Sequence, residues 1–142
     1  MSDAIVKAAR SWIGTPYHHQ AATRGAGCDC LGLIRGVWAE VLGALPEAVP
    51  PYVPDWDEPQ GREVLLAACR RLLVAKPDAG LGDVIVFRMR AGSVAKHLGI
   101  QSQLGSNAAF IHSFQGHGVV ESGLTAPWQR RIAARFAFPT RG

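Results

Sequence analysis

The sequence predicts an α+β fold, on two observations. Apolar residues recur at helical spacing through the first half of the chain, and beyond Lys76-Pro77 the texture changes to short β-type runs joined by Gly-rich connections. With 142 residues, 48% of them hydrophobic, there is material for the core of one compact domain, so residues 1–142 are read as a single unit.

Each element follows from its own pattern. Ile5, Ala8, Ala9, Trp12 and Ile13 fall on one helical face, and Gly14-Thr15-Pro16 stops them, which predicts a short amphipathic helix over residues 3–13. The stretch from Gly14 to Asp29 carries Pro16, Gly25 and Gly27 among polar residues and reads as a loop. From Cys30 the positions Ile34, Val37, Trp38 and Val41 resume the 3.6-residue period as far as Gly43, giving a second helix of about three to four turns. Residues 44–60 hold Pro46, Pro50, Pro51, Pro54 and Pro59 and exclude regular helix or central strand. Tyr52, Val53 and Trp56 make that segment an ordered surface excursion rather than a linker. Val64, Leu65, Ala68, Leu72 and Leu73 give a third helix.

Gly82-Asp83 then introduces Val84–Phe87, followed by runs at 97–101, 109–114 and 119–121, as in an antiparallel meander. Residues 131–138 suit either a helix tail or a last strand, with Phe136 and Phe138 alternating.

Composition excludes several functions. Fifteen Lys and Arg against eleven Asp and Glu give +4, but the basic residues pair up only as Arg70-Arg71 and Arg130-Arg131, which is not the concentrated patch a nucleic-acid binder needs. No run of apolar residues is long enough to insert in a membrane, and MSDAIVKAARSW lacks the features of a secretory signal. The expectation is a protein made in the bacterial cytoplasm without an export signal. Cys28, Cys30 and Cys69 are too few for a disulfide framework, and the Cys28/Cys30 spacing falls short of a C-x-x-C zinc or redox motif.

The chemistry concentrates at Asp29-Cys30, where a Gly-rich loop turns into a helix. A thiol in a first helical turn lies near unpaired N–H groups and the positive end of the helix dipole, both of which favour thiolate. A thiol nucleophile also needs a base and a group to orient that base. Two histidines stand on adjacent predicted strands. His97 points away from the Leu98/Ile100 side with Gly99 as its same-face neighbour, which leaves space beside the imidazole. His112 shares a face with Phe110 and Phe114, so it should be shielded from water and hydrogen-bonded, an imidazole nitrogen being one suitable partner. Taken singly, each has a plainer reading: Cys30 as a small buried hydrophobe, His97 as an exposed strand end, His112 as a satisfied core residue.

Together these pieces resemble the NlpC/P60 peptidases. The resemblance rests on Gly14-Thr15-Pro16-Tyr17, Asp29-Cys30-Leu31-Gly32-Leu33, Gly82-Asp83 with Phe87, His97-Leu98-Gly99-Ile100 and Phe110-Ile111-His112, in that order, over residues 4–138. It implies a papain-like core in which the cysteine helix packs on an antiparallel sheet. It further implies Cys30 as nucleophile, His97 as base and then acid, His112 as the group orienting His97, and the Tyr17 hydroxyl near the oxyanion, with no metal or cofactor. Leu31 stands where such peptidases often have Ser, and His18-His19-Gln20 where they have Gly residues. That variant, with Gly27-Cys28-Asp29-Cys30-Leu31-Gly32-Leu33, resembles the branch of phage tails and gene transfer agents.

The resemblance thus implies a hydrolase of peptidoglycan stem peptides, cutting between D-isoglutamate and a diamino acid, mounted with tail-tip or baseplate hub proteins and acting in the target cell's wall. The alternatives are a silent tail-tip plug or adaptor, an acyltransferase on the same scaffold, and a zinc site at Cys28, Cys30 and a histidine.

Overall fold

A computed structural model describes residues 1–46 and 63–140. Most of the proline-rich excursion expected over residues 44–60 lies outside the described residues.

The first helix, α1, spans Ser2–Ser11 and buries Ile5, Ala8 and Ala9; Trp12, its C-cap, is buried as well. Ile13, expected on the same face, is instead exposed, because the helix has ended by then and the chain turns at Gly14. The loop that follows contains a small hairpin that the sequence did not announce. Its strands β1 (Ala22–Thr23) and β2 (Gly27–Cys28) pair antiparallel around Gly25, which takes φ 82°. Each strand has only two residues, too short to leave a period. Tyr17 lies alongside, bridged to Cys28.

The second helix, α2, runs Cys30–Leu42 and ends at Gly43 with φ 91°. It buries Cys30, Leu33, Ile34, Val37 and Trp38. The third, α3 (Val64–Leu72), buries Leu65, Leu66 and Cys69, while Val64 faces out.

Six strands form the main sheet: β3 (Val74–Ala75), β4 (Val84–Phe87), β5 (His97–Gln103), β6 (Ala109–Phe114), β7 (Gly118–Gly123) and β8 (Ile132–Ala137), in the order β3-β8-β4-β5-β6-β7. Every named pairing is antiparallel. Strands β4 to β7 are the expected meander. The final segment is a strand, and it returns to the far side of β4 after a short helix, α4 (Ala126–Gln129).

All four residues of β4 are buried, so the sheet is covered on both faces here. One face, with Val84, Val86, Leu98, Ile100, Ile111 and Phe136, packs against the helices and forms the larger core. The opposite face, with Ile85, Phe87 and Phe110, packs under Leu124 and Trp128. Helix α2 lies on β5 with its first turn at the start of that strand, and this brings Cys30 to the backbone around His97.

Candidate active site

The site begins with how the loop is tied to α2. Asp29 caps the helix: one carboxylate oxygen accepts from the Gly32 N–H at 2.7 Å and the other from the Gln20 N–H at 2.7 Å. Gln20 is held at φ 64°, an uncommon conformation for a residue with a side chain. Gly32 is required by the same arrangement, since a Cβ there would stand 1.9 Å from the Ala21 carbonyl oxygen. Cys30, between the cap and this contact, is thereby fixed in place.

The sulfur of Cys30 is buried, with the residue 7% exposed, and donates to the Lys96 carbonyl at 3.9 Å. The N–H groups of Leu98, Leu31 and Cys30 itself bond toward it. The thiol therefore touches the peptide groups on both sides of His97. His97, also 7% exposed, places Nε2 2.7 Å from Nδ1 of fully buried His112, whose Nε2 lies 2.9 Å from the Ser122 hydroxyl. The three side chains come from neighbouring strands β5, β6 and β7 and make one hydrogen-bonded row.

Aromatic rings enclose the row. Phe110 and Phe114 flank His112 at 4.2 and 5.3 Å between centroids, and Trp128 stands edge-on to His112 at 5.3 Å and 5.9 Å from His97. The space expected beside His97 at Gly99 is filled. A Cβ on Gly99 would lie 2.7 Å from Phe110 and 3.4 Å from the His112 Cβ, so the glycine admits these neighbours rather than a ligand.

Electrostatics overturn one expectation. Burial, then the neighbouring Asp29 carboxylate, push the Cys30 thiol up to about 12, so in the free protein it is not the thiolate that a first-turn position suggests. Magnitudes explain the outcome: a helix terminus contributes about 0.3–1 kcal/mol, less than one pKa unit, whereas full burial moves a group by up to about 3–5 units. Burial also pushes both imidazoles well below the ordinary histidine value, the charge of His112 adding to the effect on His97 and that of His117 to the effect on His112. Burial thus holds the thiol and both imidazoles neutral in the free protein.

Tyr17 is brought to the same place. Burial, followed by the charges of Cys30, Asp29 and Cys28, raises its phenol to about 12, so the hydroxyl stays a neutral donor. Cys28 is free, fully buried and raised by burial to about 11; it ends the second strand of the hairpin, its carbonyl accepting from the Ser113 hydroxyl. His18 packs over Gly27, and His19 lies 3.7 Å from Asp29, so the bulky His18-His19-Gln20 run lies next to the cap. Among the described residues, no three His, Cys, Asp or Glu side chains are grouped to hold a metal ion.

Three contributors were not foreseen. Asp29 was read only as the cysteine's neighbour, Ser122 sits in an unremarkable Glu-Ser-Gly run, and Trp128 belongs to a four-residue helix without a period. Only the Ala126-Pro127 start of that helix carries a local signal.

Comparison with known proteins agrees with this architecture. Residues 14–136 match the model of the NlpC/P60 family. The fold is similar to the crystal structure of the NlpC/p60 domain of peptidoglycan hydrolase SagA, with a TM-score of 0.62 and 23% identity over 97% of this chain and 99% of that one. It is also similar to an NlpC/P60 family protein from Bacillus cereus ATCC 10987 (TM-score 0.65, 20% identity, 100% of this chain). A third likeness is to an NLP/P60 family protein, similar to lipoprotein, from Staphylococcus aureus subsp. aureus Mu50 (TM-score 0.62, 22% identity, 98% of this chain). The chain spans 41% of each of those last two proteins. No curated protein matches the sequence.

Proposed function

Since the chain belongs to the NlpC/P60 family, we propose that it is a cysteine peptidase of peptidoglycan stem peptides, with Cys30 as nucleophile, His97 as base and His112 orienting it. The carrying observation is the Cys30 sulfur lodged on the backbone that flanks His97, with His97 bonded through Nε2 to a buried His112.

That bond leaves Nδ1 of His97 for the thiol. Cys30 turns from the Lys96 carbonyl to His97, gives up its proton and attacks the amide carbonyl carbon, forming the C–S bond and an oxyanion. We assign the neutral Tyr17 hydroxyl as a donor to that oxyanion. Collapse breaks the C–N bond, and the departing amine takes the proton from the His97 imidazolium, leaving a thioester. Water, deprotonated by His97, then releases the acid and restores the thiol. Every proton passes through one imidazole, so the step requires no metal.

The scissile bond we assign is that between D-isoglutamate and the diamino acid. The bulk of His18-His19-Gln20 beside the Asp29 cap supports a substrate groove shaped differently from one bordered by Gly residues. The same run, with Gly27-Cys28-Asp29-Cys30-Leu31-Gly32-Leu33, supports a place among phage-like tail-tip or baseplate proteins, the chain acting in the cell wall of the target cell. Residues 1–142 would work there as one domain.

Purified sacculi incubated with the wild type should release stem fragments whose masses identify the bond, and Cys30→Ala should release none while keeping its urea midpoint. Undiminished release by Cys30→Ala would refute the assignment.

A further inference from the structure

Building on the hydrolase reading, we infer that Ser122 is a positioning residue which holds the His112 ring in the tautomer that His97 needs while it carries the thiol proton. The observation is the row itself: Ser122 Oγ to His112 Nε2 at 2.9 Å, and His112 Nδ1 to His97 Nε2 at 2.7 Å. Ser122 is paired with Phe110 in the register of β6 and β7 and reaches His112 diagonally across the ladder.

With both imidazoles neutral, the row can be polarised either way, because a hydroxyl donates or accepts and each ring has one N–H. Protonation of His97 removes that freedom. Both His97 nitrogens then carry hydrogen, Nε2 must donate, and His112 Nδ1 must accept. The hydrogen of His112 is consequently on Nε2, where Ser122 Oγ is the acceptor. His112 is fully buried between Phe110, Phe114 and Trp128. In this setting an N–H without a partner carries the full desolvation cost. The hydroxyl therefore stabilises the charged state more than the resting one, which is the difference that affects rate. Among the described residues, the titratable groups that face His112 are His97 on β5 and His117 in the turn after β6.

The test compares Ser122→Ala and Ser122→Thr by stem-peptide hydrolysis and by iodoacetamide alkylation of Cys30 from pH 6 to 10. Ser122→Ala should lower kcat about tenfold with KM unchanged, the size of one hydrogen bond of about 1.4 kcal/mol. It should slow alkylation at pH 7 by a similar factor, and the gap should close toward pH 10 as hydroxide replaces His97 as base. Ser122→Thr should keep both rates within about threefold.

A Ser122→Ala protein with wild-type rates overturns the inference, as does a deficit that is constant across pH or shared by Ser122→Thr. Alkylation is read on the free protein without sacculi. A wild type that hydrolyses nothing therefore overturns the hydrolase reading separately, while the alkylation profile still decides what Ser122 does for His97.

Discussion

At the scale of single residues, the site is governed by burial rather than by the helix dipole. Cys30 and His97 are each held neutral, so the mechanism we propose depends on transferring a proton between them and on donors to the oxyanion. Tyr17 is the donor we propose. Tyr17→Phe should lower kcat by about 10²-fold and leave KM within a factor of about two, as for loss of one oxyanion donor; steady-state kinetics on a synthetic stem peptide would measure it, and an unchanged kcat would remove Tyr17 from the mechanism. Cys30, His97, His112 and Tyr17, the residues of the proposed site, stood out in the sequence because each sits in a short ordered motif. Ser122 was not legible, since its contact with His112 is set by the register between β6 and β7 and leaves no trace in its neighbours.

At the scale of elements, the junction of loop and helix determines where the sulfur lies. Asp29 satisfies two backbone N–H groups, and Gly32 lets the Ala21 carbonyl approach the helix. Gly32→Ala forces a Cβ into that carbonyl and should cost about 1–3 kcal/mol, the range for an overpacked site. Urea denaturation would give the value, and a variant as stable as the wild type would contradict this account of the junction. The long helices were readable from their 3.6-residue period, and the Gly43 stop from its chemistry. Elements of two residues were not, because β1, β2 and β3 are too short to alternate. The last segment was ambiguous for a different reason: Ile132–Ala137 borders the buried strand β4 on one side and the two-residue β3 on the other, so tertiary pairing decides its state.

At the scale of the whole molecule, α+β layering was legible, whereas the use of both sheet faces was not. Helices α1, α2 and α3 cover one face and bring Cys30; on the other, Trp128 of α4 packs with Phe87 and Phe110 beside the histidines. Cys30 thus comes from the helix layer and reaches the backbone at the start of β5, the strand that His97 begins. Stability should record these buried titratable groups. Below the ordinary histidine value of 6.5 the unfolded chain takes up protons that the buried His97 and His112 rings resist, so stability falls as pH falls. Above 9.0 the unfolded thiols release protons that Cys30 and Cys69, both raised to about 12, retain, so stability falls as pH rises. Urea midpoints should therefore be highest between pH 6.5 and 9.0 and lower at pH 5 and pH 10.5; a maximum at pH 5 would contradict the assignment of buried neutral imidazoles. The account's central claim is that the Cys30 sulfur becomes covalently bonded to substrate with His97 as its base, and acid-quenched mass spectrometry of the protein turning over a stem peptide tests it most directly. The account predicts a hydroxylamine-labile acyl group on the peptide containing Cys30, absent from His97→Ala; an acyl group on another residue, or turnover with no acylated protein in Cys30→Ala, would contradict it.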